Sequence, residues 1–167
     1  YNKKMKKKIY PIILIITLIF INACAEYKPI YTTNLQFKIA DYSIESNQRL
    51  GRQIYSKLNS LSKFSEDNLE VQSINIIINT EKDKQATAKD STGKILGYRI
   101  ILNSNIVIKD YLTNKVILNQ SFSYSATYNV QDQYSETKKL ENKSTGDLIN
   151  KIYQNLIIKM SENMLTQ

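Results

Sequence analysis

Histidine and tryptophan are absent from the 167 residues, and cysteine occurs once. Without histidine there is no catalytic triad, metal cage or proton relay built on imidazole, and only carboxylates, lysines and hydroxyls remain for chemistry. A single cysteine excludes an internal disulfide. The acidic residues are scattered singly, with no pair in a setting that marks general acid and base, so the expectation is a chain that is not an enzyme and holds no metal or cofactor. The chain carries no internal repeat and no low-complexity tract, and its length suits one domain with one core.

Charge is plentiful but unevenly placed. The formal net charge is +8, from 23 basic and 15 acidic residues, and Lys3, Lys4, Lys6, Lys7 and Lys8 supply five of the basic ones before any acid appears. Removing those five leaves 18 against 15 from Cys24 onward, a net charge of about +3. The basic pI is therefore a property of the N-terminus, and a nucleic-acid partner is not expected.

Ile9 to Ile21 (IYPIILIITLIFI) is an apolar run of thirteen residues behind the basic cap. A membrane-spanning helix needs roughly 20, whereas the core of a secretory signal takes about 7 to 15, so the run reads as a signal peptide. Read from Met5, its basic region is the compact MKKK. Ile21-Asn22-Ala23-Cys24 then resembles the bacterial lipobox, with Asn22 where Ala or Ser is usual. That resemblance implies removal of residues 1–23 and attachment of a diacylglycerol and an N-acyl chain to Cys24. Two or more acyl chains give stable anchoring where one gives only marginal binding. Ala25 rather than Asp follows the cysteine, which by the enterobacterial sorting rule implies an outer-membrane address. The plainer reading makes Cys24 a small apolar residue at the end of a short helix.

Residues 24–34 contain Pro29 between polar and aromatic residues and read as an extended tether. From residue 35 to 167 a single domain is expected. Leu35, Phe37 and Ile39 alternate with polar residues as in a half-buried strand within 35–46. Ser46 or Asn47 can cap a helix carrying Leu50, Ile54, Leu58 and Leu61 on one stripe. A second strand starts near Leu69, with Ile74, Ile76 and Ile78 alternating; the EKDK segment at 81–84 breaks the apolar pattern and suggests a bent or bulged strand. Asp90-Ser91-Thr92-Gly93 is a turn, 94–109 the longest strand signal, 110–115 a second turn, and 116–130 a strand with Phe122, Tyr124, Ala126 and Tyr128 on one face. A final helix bears an apolar stripe from Ile149 to Met164, with Met160 and Met164 as core; its polar front half, 132–146, is expected to project beyond the core or to bend at Gly146. The fold class is α+β: a four-stranded, mainly antiparallel sheet with two helices on one face, in the order strand, helix, three strands, helix.

Cys24-Ala25-Glu26-Tyr27-Lys28-Pro29-Ile30-Tyr31 resembles the lipobox cysteine and short aromatic, proline and tyrosine segment (CGF-x-PLY) of the lipopolysaccharide-assembly lipoproteins, LptE, in their α-proteobacterial branch. Ile106 to Leu118 (IVIKDYLTNKVIL) is similar to the strand and Asp-x-x-Thr-Gly-Lys turn of that family, and Ala126 to Val130 to its Ser-Tyr-Asn-Val junction. The resemblance spans about residues 15 to 165. Ala25-Glu26-Tyr27 replaces Gly-Phe with one extra residue, and Asn114 stands where Gly is common. Asparagine tolerates the left-handed backbone such a turn needs. The resemblance implies an outer-membrane lipoprotein, facing the periplasm, that plugs and helps assemble the LptD β-barrel and assists lipopolysaccharide transport to the outer leaflet. The alternative is an accessory lipoprotein of a different envelope lipid-transport complex.

Lipopolysaccharide is strongly anionic, so its contacts should be Lys or Arg on strands and turns. The candidates are Arg99, Lys94, Lys109 and Lys115. Arg99 is conspicuous between Tyr98 and Ile100 in an apolar strand; the plainer reading is that alternation turns it to solvent, and that the lysines simply flank turns. Tyr124 and Tyr128 are candidates for packing against a barrel wall or, equally, for the core under the helices. Arg49 and Arg52 are candidates for an acidic partner surface, with a solvated helix face as the plainer reading.

Overall fold

The computed structural model describes residues 35–63 and 71–164. The signal peptide, Cys24 and the tether lie outside the described residues. Six elements follow in chain order: β1 (Phe37–Ser46), α1 (Gln48–Lys63), β2 (Gln72–Lys89), β3 (Ile95–Asp110), β4 (Val116–Asn129) and α2 (Tyr134–Met164). The sheet order is β1-β2-β3-β4, with β1 parallel to β2 and the other pairings antiparallel. This is the expected α+β fold, with strands and helices in the expected order.

Local chemistry accounts for the joints. The backbone of Ser46 is left-handed (φ 65°) where β1 gives way to α1. Asn47 caps α1, its Oδ1 accepting from the Leu50 N–H at 3.2 Å, the bond that satisfies an otherwise orphaned first-turn donor. The two hairpin turns share one device. Asp90 Oδ1 accepts from the N–H groups of Thr92 and Lys94, and Asp110 Oδ1 from those of Leu112 and Thr113. Each loop then turns back through a left-handed residue, Gly93 (φ 87°) in the first and Asn114 (φ 58°) in the second. The hydrogen bonds from the Thr113 N–H, Gln72 and the Thr113 hydroxyl hold the Asp110 carboxyl down at about 2.

β1 carries a bulge between Ile39 and Asp41. The extra residue moves the inward set from Phe37 and Ile39 to Tyr42 and Ile44, which pair with Ile76 and Ile78. The Ile39 N–H is taken up by Ser62 Oγ of α1 at 3.1 Å, and Tyr42 stacks on Tyr55 of the same helix with centroids 3.8 Å apart. At Gly51 a Cβ would collide with Ile44, so the absent side chain is what lets α1 lie this close to β1.

The core lies between one sheet face and the helices. Ile74, Ile76 and Ile78 of β2, Ile106 and Ile108 of β3, Leu50, Ile54 and Leu58 of α1, and Ile152, Leu156 and Met160 of α2 are all buried together, and Met164 packs against them. The long, bulged strand expected around EKDK is present: β2 runs through that segment to Lys89, pairs with β3 without interruption as far as Ala86, and shifts register between Ala86 and Lys89. One expectation is corrected here. The polar front half of the last helix does not project from the core: α2 is one helix through Gly146, and Thr137, Glu141 and Thr145 in that half are buried.

The opposite sheet face is covered by no helix of the described residues. Asn79, Asn105 and Ser121 form one row of amides and hydroxyls across β2, β3 and β4, Asn103 and Ser123 the next, and Ile77 and Val107 on one side and Ile101 on the other border them on the same face. Asn105 Nδ2 donates to Asn119 Oδ1 at 3.2 Å and to Ser121 Oγ at 3.0 Å, and Ser123 Oγ donates to Asn103 Oδ1 at 2.7 Å.

Candidate functional site

The reason β2 tolerates EKDK, and α2 its polar front half, is that they answer each other. Lys82 and Lys84 have the same parity as Ile74, Ile76 and Ile78, so the pleat turns them to the helix-covered side. Thr137, Glu141 and Thr145 recur every four residues and continue the buried stripe of Leu148, Ile152 and Leu156 towards the helix start. Between the apolar and the charged stretch of the sheet sits a hydroxyl pair, Thr80 and Ser104, fully buried at 2.8 Å.

Glu141 is the hub. Its Oε1 accepts from Lys82 Nζ at 2.6 Å, and its Oε2 from Lys84 Nζ at 3.0 Å and from the Tyr128 hydroxyl at 3.3 Å, with Lys138 Nζ 3.4 Å away. Its side chain is only 8 % exposed. Burial alone would raise its pKa, but the hydrogen bonds and charges of Lys82 and Lys84 outweigh that and hold the carboxyl at about 2. Lys84 is pushed the other way from burial by its bonds to Tyr128 and Glu141, so its ammonium is held above the ordinary lysine range. The same ammonium lies 4.0 Å from the centroid of the Tyr98 ring.

Beside this hub is a cavity of about 490 Å³ lined by Lys84, Lys94, Tyr98, Tyr134, Lys138 and Glu141 among others. Three ammonium groups converge on one carboxylate, and the wall adds Lys94 and the carboxylate of Asp132, so four positive charges face two negative ones and two are left unbalanced. The Tyr134 ring is largely exposed at the start of α2. Such a surface suits an anionic group attached to a ring or chain that the tyrosines can cover. It is poorly suited to proton transfer near neutral pH, because Glu141 is locked as an anion by its partners. Among the described residues no group of three or more acidic, histidine or cysteine side chains is placed to hold a metal ion.

The four basic candidates from the sequence do not meet in one place. Lys94 lines the cavity. Arg99 lies exposed on the uncovered sheet face, opposite Gln85 and Thr127. Lys109 and Lys115 are at the far end of β3, which at about 3.3 Å per residue puts Lys109 roughly 50 Å along the strand from Lys94. Tyr124 and Tyr128 face α2: Lys151 Nζ sits 4.5 Å from the Tyr124 ring, and Tyr128 is buried against Glu141. Sequence reasoning missed Lys82, Lys84, Lys138 and Glu141. The usable signal was phase: two lysines in step with three isoleucines, and a glutamate in step with a helix stripe.

No protein-family model matches the chain, and no curated protein sequence matches it. Solved structures do. A candidate lipoprotein from Caulobacter crescentus superposes with a TM-score of 0.55 at 7% identity, covering 77% of this chain and 90% of its own. The minor lipoprotein of Acinetobacter baumannii gives 0.54 at 11% identity, covering 77% and 93%. Lipoprotein B of Nitrosomonas europaea gives 0.54 at 11% identity, covering 75% and 83%. The fold is one that bacterial lipoproteins share. At these identities the likeness is one of architecture, and the lysine and glutamate hub is described from this chain alone.

Proposed function

We propose that the protein is an envelope lipoprotein, acylated at Cys24 and held at the outer membrane facing the periplasm, which plugs and helps assemble the LptD β-barrel and assists lipopolysaccharide transport without catalysis of its own. The observation that carries this reading is the succession of a lipobox, Ile21-Asn22-Ala23-Cys24, and a domain whose fold is shared with bacterial lipoproteins. The anchor in this reading is the acyl chains on Cys24; among the described residues no helix is long and apolar enough to cross a membrane. The amides and hydroxyls of the uncovered sheet face, with Glu81 and Asp83 set against Arg99 and Lys109 in near charge balance, offer a polar surface to a water-filled barrel lumen.

The excess positive charge around the Glu141 cavity supports a further part of the reading, that an anionic glycolipid headgroup is received there, with Lys94, Lys84 and Lys138 as its phosphate or carboxylate contacts. Arg99, Lys109 and Lys115 are contacts of the same kind at separate places on the surface. Purification of the tagged full chain from detergent-solubilised envelopes tests the reading. A large barrel protein in near-equal amount, and loss of lipopolysaccharide capture of at least fivefold in a Lys94→Glu, Lys138→Glu variant that still brings down the barrel, are expected. Recovery of a different lipid-transport complex with no barrel would replace this reading by the accessory-lipoprotein one.

A further inference from the structure

The two edges of the sheet are built differently. On the β1 side, charge and irregularity guard the backbone: β1 holds Lys38, Asp41, Glu45 and a bulge, and β2 beyond its last β1-paired residue, Thr80, carries Glu81, Lys82, Asp83, Lys84 and Lys89. These are the devices by which an open edge avoids further pairing. β4 has only a bulge at its start, where Leu118 pairs with Ile108 and Val116 with Lys109. Its 14 residues, VILNQSFSYSATYN, include no charge, no proline and no glycine, and pair with β3 along nearly their whole length without a bulge between Gly97 and Ile108. Among the described residues nothing pairs with its other side.

We infer that the β4 edge is a pairing surface for a second copy of this chain, joined antiparallel about a two-fold axis at Ser123. The composition is self-complementary in that register. On the uncovered face Ser123 meets Ser123 of the second copy, Ser121 meets Ser125, and Asn119 meets Thr127, all exposed hydroxyls and amides that hydrogen-bond across strands. On the helix-covered face Phe122 meets Tyr124 and Leu118 meets Tyr128, so aromatic and aliphatic groups face one another. No charged side chain lies anywhere along the strand, whereas β1 carries Lys38, Asp41 and Glu45. A two-fold axis normal to the sheet keeps both helix layers on one side of the eight-stranded sheet that results and joins the two rows of β4 hydroxyls on the other.

Light scattering and sedimentation of the purified full chain in detergent test the inference, and neither readout needs a barrel or lipopolysaccharide. A dimer is expected at tens of micromolar. Ser123→Lys, which sets two ammonium groups face to face, is expected to weaken it at least tenfold while the circular dichroism spectrum and unfolding midpoint stay put. Ser123→Thr should keep it. Oxidation of Ser123→Cys is expected to trap a disulfide-linked pair that the native chain, with Cys24 alone, does not form. A monomer at all concentrations, a dimer indifferent to Ser123→Lys, or a cross-link that appears equally in the native chain would each overturn it. A monomer that gains a strand only from another protein would overturn it as well.

Discussion

The two ends of the helix-covered face are held down by different physics. At one end Ile74, Ile76 and Ile78 pack under α1 and the C-terminal half of α2, where the buried polar side chains are the uncharged hydroxyls of Ser62 and Ser161. At the other, Lys82 and Lys84 of the same strand, on the same face, hold the N-terminal half of α2 through Glu141. Apolar docking tolerates approximate geometry and is lost only with volume; ionic docking requires each partner, because a lone buried charge is costly. One end therefore resembles an ordinary core. The other is a charged seam open to a cavity.

This contrast can be broken from the apolar end first. Ile76→Ala removes a fully buried side chain between β1, β2 and the helices, and is expected to cost about 3–4 kcal/mol. Denaturant unfolding should show the loss as one cooperative transition involving the whole domain.

At the ionic end Glu141→Gln is expected to cost about 2–3 kcal/mol, less than a fully buried pair because Lys84 and Lys138 reach solvent. Hydrogen exchange should rise over residues 134–146 while the 149–160 segment keeps its protection. The pH dependence carries the same signature. Because the Glu141 carboxyl is held at about 2 in the folded chain, its contribution is complete above the ordinary carboxylate range and fades as pH falls from about 4.5 towards 2. The raised pKa of Lys84 works in the other sense, with its contribution complete at neutral pH and lost as pH climbs past the ordinary lysine range. Glu141→Gln should make the acid limb shallower, leaving the part carried by Asp110, whose carboxyl is also held at about 2. An unchanged acid limb would mean that the seam does not secure the helix.

Smaller effects sharpen the distinction. Asn47→Ala deletes the side-chain acceptor for the Leu50 N–H and is expected to cost about 1 kcal/mol, a cap being worth less than either form of docking. Lys159→Ala breaks an ion pair with Glu162 at 2.8 Å, but both side chains are about half exposed, and a change in unfolding free energy below about 0.5 kcal/mol is expected. The pair at Lys159 and the seam at Glu141 have similar distances and differ in burial, so their comparison isolates what desolvation adds.

The apolar end was legible in the sequence and the ionic end was not, for one reason. Periodicity is read from apolar residues, so Leu50, Ile54 and Leu58, or Ile149, Ile152 and Leu156, announce both a helix and the face it buries. Lys82, Lys84 and Glu141 occupy core-facing phases with side chains that usually mark solvent, and their mutual satisfaction is visible only once β2 and α2 are brought together across 57 or more residues of chain. The bulge in β1 hid itself in the same way, by shifting the inward set from odd to even positions between Ile39 and Tyr42. Turns were legible because their chemistry is local: Asp90 with Gly93 and Asp110 with Asn114 are complete within a few residues. Lys94 was found as a candidate for its charge beside a turn, and its place on the cavity wall follows from the pairing of β2 with β3.

The anchor at Cys24 is the point on which the functional reading turns. Intact-mass spectrometry of the chain purified from bacterial envelopes is expected to show a protein beginning at Cys24 and heavier than its peptide mass by a diacylglycerol and an acyl group. A chain that retains the preceding apolar run, with its thiol free, would contradict the lipoprotein assignment outright.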